Sequence, residues 1–254
     1  MAYSDETLVR LRADAAEIVG RYPKARSALL PLLHLVQAQD GYVSGDGIAF
    51  CAEVLGITGT EVRGVATFYT MYKHSPAAEY QVGICTNALC AIMGGDQIYS
   101  ELAEHLGADP ETALHSHEDI KSADGKVAVE RIECNAACDF APVVMVNWEF
   151  YDNQTPETAK QLVDGLRAGS PPAPTRGPSR LCTWKQASRI LAGFGDGQAA
   201  DGPPAGPAGL LGLKIAHENG WSAPPAVAAG SGGPGGSSPR NGNGPEPSSG
   251  GSGK

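Results

Sequence analysis

The strongest constraint on this chain is a set of four cysteines arranged as two pairs. Four residues separate Cys85 from Cys90, three separate Cys134 from Cys138, and 43 residues lie between the pairs. Thiolates are soft ligands, and four of them suit zinc or an iron–sulfur cluster. The fold is therefore expected to bring two distant loops together at one metal centre.

The spacing within the pairs favours a [2Fe–2S] cluster. Structural zinc sites usually form tight knuckles with two residues between ligands, and neither pair does so. A plant-type ferredoxin would have its third cysteine where Met93 stands, and a Rieske centre would need two histidines, which the cysteine loops lack. We expect one [2Fe–2S] cluster held by all four cysteines, and a zinc-stabilised interaction module remains as an alternative.

Composition limits the function classes. The formal net charge of −9 argues against a nucleic-acid-binding protein, which needs a basic face. No apolar run approaches the ~20 residues that span a bilayer, so we expect no direct membrane insertion. The N-terminal sequence MAYSDETLVR resembles neither a signal nor a transit peptide. In a reducing cytosol, Cys51 is expected to be a small buried side chain and Cys182 an idle thiol.

Four helices are predicted over residues 1–75. Ser4 and Thr58 are typical N-cap residues, and Glu61 completes a capping box with Thr58. Gly41 is a typical residue just after a helix C-terminus. An aromatic run follows, for which core packing at the junction with the next domain is favoured over a stacking platform for a flavin or a base. This run consists of Phe68, Tyr69 and Tyr72.

From Tyr80 the pattern changes to alternating strands and helices. YQVGIC is predicted as a strand ending at Cys85, and KVAVERIEC as a strand ending at Cys134. Both cysteine pairs would then lie in loops at one end of a small mixed sheet. Gly94 and Gly95 precede the intervening helix and would allow close backbone approach.

These segments carry a family resemblance. CTNALC followed by GG, ECNAACDFAPVVMVN, YDNQTPE and VATFYTMY resemble the thioredoxin-like [2Fe–2S] subunits of NADH:quinone oxidoreductase, the respiratory complex I. The resemblance extends from about Leu8 to about Leu166. It implies an α+β chain with an N-terminal helical bundle (1–75), a thioredoxin-like [2Fe–2S] ferredoxin domain (76–169) and a largely irregular C-terminal extension (170–254). It also makes a cis bond conceivable at Ala141–Pro142, although trans is the default.

The resemblance implies a function in electron transfer. The cluster would exchange single electrons with FMN in a partner subunit that also binds NADH, next to a neighbouring iron–sulfur subunit. The whole would form a peripheral arm on the cytoplasmic side of a bacterial plasma membrane. Similar subunits in NAD-linked hydrogenases and formate dehydrogenases, and a free-standing ferredoxin shuttle, remain as alternatives.

The extension after Gly169 differs in composition from the rest. SPPAPTRGPS is a Pro-rich linker, and Thr183 with Gln186 predicts a cap for one short helix. GLLGLKIAHENGW is expected to form another short docking segment, and the chain from Pro224 onward is expected to be disordered. We expect the extension to be dispensable for cluster assembly and to gain order against a partner or the protein's own body.

Overall fold

The computed structural model describes residues 3–115, 119–198, 201–203 and 205–222. Residues up to Leu211 form one compact unit that contains both helices and a sheet, which confirms the predicted α+β class. The helices in the described ranges are too short or too polar to cross a bilayer. The segment predicted to be disordered, from Pro224 onward, lies outside the described residues.

An N-terminal bundle is built from helices whose ends follow the predicted caps. It contains α1 (Asp5–Gly20), a 3₁₀ turn (Ala25–Ala28), α2 (Leu29–Asp40), α3 (Gly45–Leu55) and α4 (Gly59–Ala66). The Ser4 side chain accepts a hydrogen bond from the Thr7 N–H, and Thr58 and Glu61 form the capping box. Gly41 ends α2 with φ +87°, a conformation that costs glycine little. The bundle core includes Leu11, Ile18, Leu32, Leu33 and Val36.

A mixed five-stranded sheet follows the bundle. Its strands are β1 (Tyr80–Cys85), β2 (Ile120–Lys121), β3 (Val127–Ile132), β4 (Val144–Val146) and β5 (Glu149–Tyr151), in the order β2-β3-β1-β4-β5. Strands β1 and β3 are parallel, whereas the other neighbours are antiparallel. A parallel pair requires a crossover connection, and here helices supply it.

Helices α5 (Ala88–Ile92), α6 (Gly95–His105) and α7 (Pro110–His115) lie in the crossover, and α8 (Pro156–Arg167) follows the sheet. The apolar sides of α6 and α8 pack together with one face of the sheet. This core includes Val82, Ile84, Ile98, Leu102, Val129, Leu162 and Leu166. Because β1 is buried along its whole length, its C-terminal end is held rigidly.

Three local features differ from the sequence analysis or add to it. Strand β3 ends at Ile132, two residues before the predicted end at Cys134, so the second pair lies wholly in a loop. The Ala141–Pro142 peptide bond is cis. The β4–β5 hairpin turns at Asn147 and Trp148, which have φ values of +49° and +76°.

The extension contains α9 (Trp184–Leu191) and α10 (Pro207–Glu218). Up to α9 it packs against both the bundle and the sheet domain. The predicted cap by Thr183 and Gln186 is confirmed. Trp184 is buried; its indole N–H donates to the Gly41 carbonyl at 3.0 Å, and its backbone N–H donates to the Glu79 carbonyl at 2.8 Å. The protein's own body thus supplies the surface against which α9 is ordered.

Candidate metal centre

Parallel pairing of β1 and β3 brings the two cysteine loops to the same edge of the sheet. Cys85 is the last residue of β1 and lies opposite Ile132, the last residue of β3. Cys134 follows two residues later. The predicted location of both pairs at one end of the sheet is therefore confirmed.

The first loop holds its cysteines in a buried position. Cys85 and Cys90 are both 2% exposed, and Cys90 lies on the short helix α5. A Cβ atom at Gly95 would approach the Cys85 carbonyl oxygen to 2.5 Å, and Gly94 has φ +114°. The expected close backbone approach is confirmed at Gly95, whereas a Cβ at Gly94 would contact nothing within 4 Å, and Gly94 is favoured by its positive φ instead.

The second loop presents its cysteines to solvent. Cys134 and Cys138 are exposed, and their sulfur atoms are 3.8 Å apart. A tetrahedral metal with metal–sulfur bonds of about 2.3 Å holds two thiolates about 3.8 Å apart. Ala136 adopts φ +55° between them, and its N–H donates to the Cys134 Sγ at 3.4 Å. The separation of the two sulfur atoms therefore equals the one that two thiolate ligands of a single metal ion would have.

The thiols influence one another's ionisation. Burial, followed by the neighbouring Cys85 and Cys138, raises the pKa of Cys90 to about 11, although a backbone hydrogen bond from Val143 acts in the opposite direction. Contact with Cys134 raises the pKa of Cys138. Thiolates this close repel one another, and a bound cation reverses that balance by favouring the deprotonated sulfur.

The four cysteine thiols suit a cofactor that is larger than a single metal ion. Among the described residues, no three His, Cys, Asp or Glu side chains converge where a single metal ion would bind. Two cysteine pairs, one buried and one exposed, match instead a two-iron unit in which each iron takes two thiolates. The residues present therefore fit a [2Fe–2S] cluster.

The remaining cysteines lie elsewhere. Cys51 is fully buried in the helical bundle, where burial raises its pKa to about 12. Cys182 lies in the extension, and its Sγ is 3.4 Å from the Asp196 carboxylate. The structure does not bring either thiol to the four-cysteine site.

One polar side chain of the site was not singled out by the sequence analysis. Asn87 is the N-cap residue of α5, yet its side chain makes no capping hydrogen bond. Its Nδ2 donates to the Ile132 carbonyl at 3.1 Å and lies 4.0 Å from the Cys85 Sγ. The only sequence signal was an asparagine directly between a cysteine-ended strand and a helix.

The helical bundle reaches the second loop through the turn that leaves α4. The Thr70 hydroxyl donates to the Glu133 carboxylate at 3.3 Å, next to Cys134. In the same turn Phe68 is 77% exposed and Tyr69 39% exposed, whereas Tyr72 is buried. The prediction that the aromatic run packs into the core is wrong for Phe68 and Tyr69, because the turn leaves both rings exposed to solvent.

Comparison with known proteins finds one matching family model and several similar chains. The family model of the thioredoxin-like [2Fe–2S] ferredoxin matches residues 15–167. The E subunit of the NADH-quinone oxidoreductase of Mycobacterium tuberculosis (strain ATCC 25618 / H37Rv) is 55% identical over 233 residues, which cover 90% of this chain and 87% of that protein. NADH-quinone oxidoreductase subunit 2 of Thermus thermophilus is 35% identical over 156 residues, covering 60% of this chain and 82% of that protein. Among solved structures, an air-oxidized NAD+-reducing [NiFe]-hydrogenase aligns with a TM-score of 0.48 at 18% identity, over 56% of this chain and 23% of the hydrogenase chain.

Proposed function

The chain belongs to the thioredoxin-like [2Fe–2S] ferredoxin family, and we propose on that premise that it is the iron–sulfur electron-transfer subunit of a proton-pumping NADH:quinone oxidoreductase. The observation that carries the proposal is the parallel pairing of β1 and β3, which brings the loops of Cys85, Cys90, Cys134 and Cys138 to one edge of the sheet, in a chain similar over 90% of its length to an NADH-quinone oxidoreductase subunit. The relatives' names favour this oxidoreductase over a hydrogenase or a formate dehydrogenase.

The four cysteines are proposed as the ligands of one [2Fe–2S] cluster. When bound, the cluster supplies a carrier that takes and gives one electron at a time. Of the two proposed ligand pairs, Cys134 and Cys138 are the better supported, because the 3.8 Å separation of their sulfur atoms suits two thiolates on one metal ion. Cys85 and Cys90 would hold the other half below the surface, since both are buried.

The arrangement gives the site a buried and an exposed side. The chain excludes water from the Cys85–Cys90 side, where α5 and the Gly95 backbone pack closely. The Cys134–Cys138 side faces solvent. Because electron exchange requires a short path to the other cofactor, we expect the partner to approach from this exposed side.

The proposal assigns the remaining chemistry to other subunits. FMN and NADH would bind to the flavin subunit, and a further iron–sulfur subunit would lie nearby in the peripheral arm. We place that arm on the cytoplasmic side of a bacterial plasma membrane. The support is the similarity to NADH-quinone oxidoreductase subunits, together with paired thiols on this chain whose spacing suits the ligation of an iron–sulfur cluster.

Co-purification with the flavin subunit tests this function. The full chain, produced with and without the flavin subunit of the same organism, should co-elute with it and show NADH–ferricyanide reductase activity only in the complex. NADH should then reduce the cluster, as seen by EPR. Activity of the pure, flavin-free chain would overturn the assignment of NADH chemistry to the partner. Failure to bind the flavin subunit would favour a free-standing shuttle.

A further inference from the structure

We infer that Asn87 is a positioning residue that ties the two cysteine loops together and, by directing an N–H group at Cys85, raises the reduction potential of the cluster. The inference rests on the proposed cluster ligation. It concerns a side chain that is no metal ligand and that the sequence analysis did not single out. The observation behind it is that Asn87 forgoes the local hydrogen bond typical of its position.

Asn87 lies where an asparagine would normally cap a helix. Its backbone is extended (φ −80°, ψ 166°), and α5 begins at the next residue. Asparagine is among the best N-cap residues, because its side-chain oxygen accepts a hydrogen bond from the first turn. Asn87 makes no such bond. Six other helix starts among the described residues do carry a side-chain cap, from Ser4, Ser44, Thr58, Asp109, Thr155 and Thr183.

The side chain instead reaches across to the other cysteine loop. Its Nδ2 donates to the carbonyl oxygen of Ile132, the last residue of β3, at 3.1 Å. The next two residues of that chain segment are Glu133 and Cys134. The bond therefore fixes the start of the second loop relative to the start of the first, next to the last strand pair, Cys85 and Ile132.

The same amide group also faces a sulfur atom. Nδ2 is 4.0 Å from the Cys85 Sγ, the outer limit of an N–H···S contact, and its two hydrogens allow both interactions. Reduction adds negative charge to a cluster, and N–H groups directed at its sulfurs stabilise the reduced state and raise the potential. Cys85 is 2% exposed whereas Asn87 is exposed, so the contact lies at the border between the buried side of the site and solvent.

Asn87 differs from the other donors at the site because it acts through a side chain. The Ala136 N–H donates to Cys134, and a backbone hydrogen bond from Val143 reaches Cys90. Substitution does not remove those backbone donors. Exchange of Asn87 removes one donor and one cross-loop bond while it leaves the backbone in place, so its contribution is measurable by itself.

Two substitutions separate positioning from helix capping. Asn87→Ser keeps a good N-cap residue but is too short to reach Ile132, whereas Asn87→Gln is a poorer cap that keeps a reaching amide. A role in positioning predicts that Asn87→Ser lowers the midpoint potential, or lowers the iron content of an otherwise folded chain, and that Asn87→Gln restores much of the wild-type value. If Asn87 acted only as a helix cap, Asn87→Ser would keep the wild-type potential and iron content, and Asn87→Gln would lower them.

The measurement is an EPR-monitored redox titration of the full chain, with iron and sulfide analysis and a circular dichroism melting curve. Thr155→Ala is the matched control, because it removes an ordinary cap in the same domain and should lower the melting temperature without moving the potential. A wild-type potential and iron content in Asn87→Ser would overturn the inference. A wild-type chain without a [2Fe–2S] signal would instead refute the proposed function.

Discussion

The six cysteines of this chain have different surroundings, and these surroundings indicate their roles. Four lie at the edge where β1 and β3 end, as two pairs. Cys51 is enclosed by the helical bundle, and Cys182 faces Asp196 in the extension. The distinction was available from sequence, because only these four occur as closely spaced pairs that follow predicted strands.

Single cysteine exchanges test these roles. Cys134→Ala should abolish the EPR signal of the cluster, because the remaining thiolate of its pair cannot complete a tetrahedral iron site. The matched exchange Cys182→Ala, at a partly exposed thiol, should leave the signal and the iron content unchanged. An unaltered spectrum in Cys134→Ala would exclude this residue as a ligand.

His34 makes stability depend on pH. Burial lowers the pKa of His34 to about 4, its ring centroid lies 4.9 Å from that of Tyr72, and its Nδ1 has no hydrogen-bond partner among the described residues. In the unfolded chain a histidine binds a proton near pH 6.5. The unfolded state therefore binds more protons between these values, and the free energy of unfolding falls as the pH drops from about 6.5 towards 4.

Urea unfolding of the wild type and of His34→Leu at pH 7.5 and pH 5.5 measures this effect. The variant should lose less stability between the two pH values than the wild type, since it removes the titrating group and a buried unpaired nitrogen. Equal losses in both proteins would show that His34 does not cause the pH dependence.

Residue patterns predicted local contacts better than they predicted exposure. The capping roles of Ser4, Thr58 and Thr183 depend only on residues three positions away, and all three are confirmed. The exposure of Phe68 depends on where the turn after α4 meets the second cysteine loop, which no local pattern encodes. The diverted side chain of Asn87 was missed for the same reason, because its partner Ile132 is 45 positions away.

Among the elements, the β4–β5 hairpin and α9 form one connected junction. Asn147 accepts a hydrogen bond from the Gln81 N–H at 2.9 Å and donates to the Cys182 carbonyl at 2.8 Å. Trp148 lies beside Trp184, with ring centroids 6.0 Å apart. A positive φ at Trp148 is strained for a bulky residue, so these long-range contacts must maintain the turn. The Asn-Trp turn lacks the glycine usual in hairpin turns, so the sequence carries no strong local signal for a hairpin here.

Exchange of Trp184 tests the junction. Trp184→Ala should lower the free energy of unfolding by about 3–5 kcal/mol, because it empties a buried site and removes the indole hydrogen bond to Gly41. Leu191→Ala, at a 43% exposed position of the same helix, should cost much less. Denaturant titration measures both, and a Trp184→Ala variant as stable as Leu191→Ala would contradict this packing of α9.

On the scale of the whole molecule, the extension connects the bundle, the sheet and the second cysteine loop. Arg189 pairs with Asp14 of α1 at 2.7 Å, and Arg176 pairs with Asp152 at 3.0 Å in a nearly buried position. The Arg176 guanidinium also lies 5.5 Å from the ring centroid of Phe140, two residues after Cys138. The predicted boundary at Gly169 stays a prediction, but these contacts argue against treating residues 170–198 as dispensable.

Truncation tests whether residues 170–198 are needed. A chain ending at Gly169 loses Trp184 and both ion pairs, so its melting temperature should fall and it should retain less iron per chain. A chain ending at Leu211 keeps the whole first unit and should match the full-length protein in both measurements. If the shorter chain kept the full melting temperature and iron content, the expectation of a dispensable extension would stand.

The central claim is that Cys85, Cys90, Cys134 and Cys138 hold one [2Fe–2S] cluster, and metal and sulfide analysis of the anaerobically purified full chain tests it most directly. We predict about two irons and two acid-labile sulfides per chain, with an EPR signal that appears on reduction. Zinc without sulfide, bound by the same cysteines, would contradict the claim and would make the protein a zinc-stabilised interaction module.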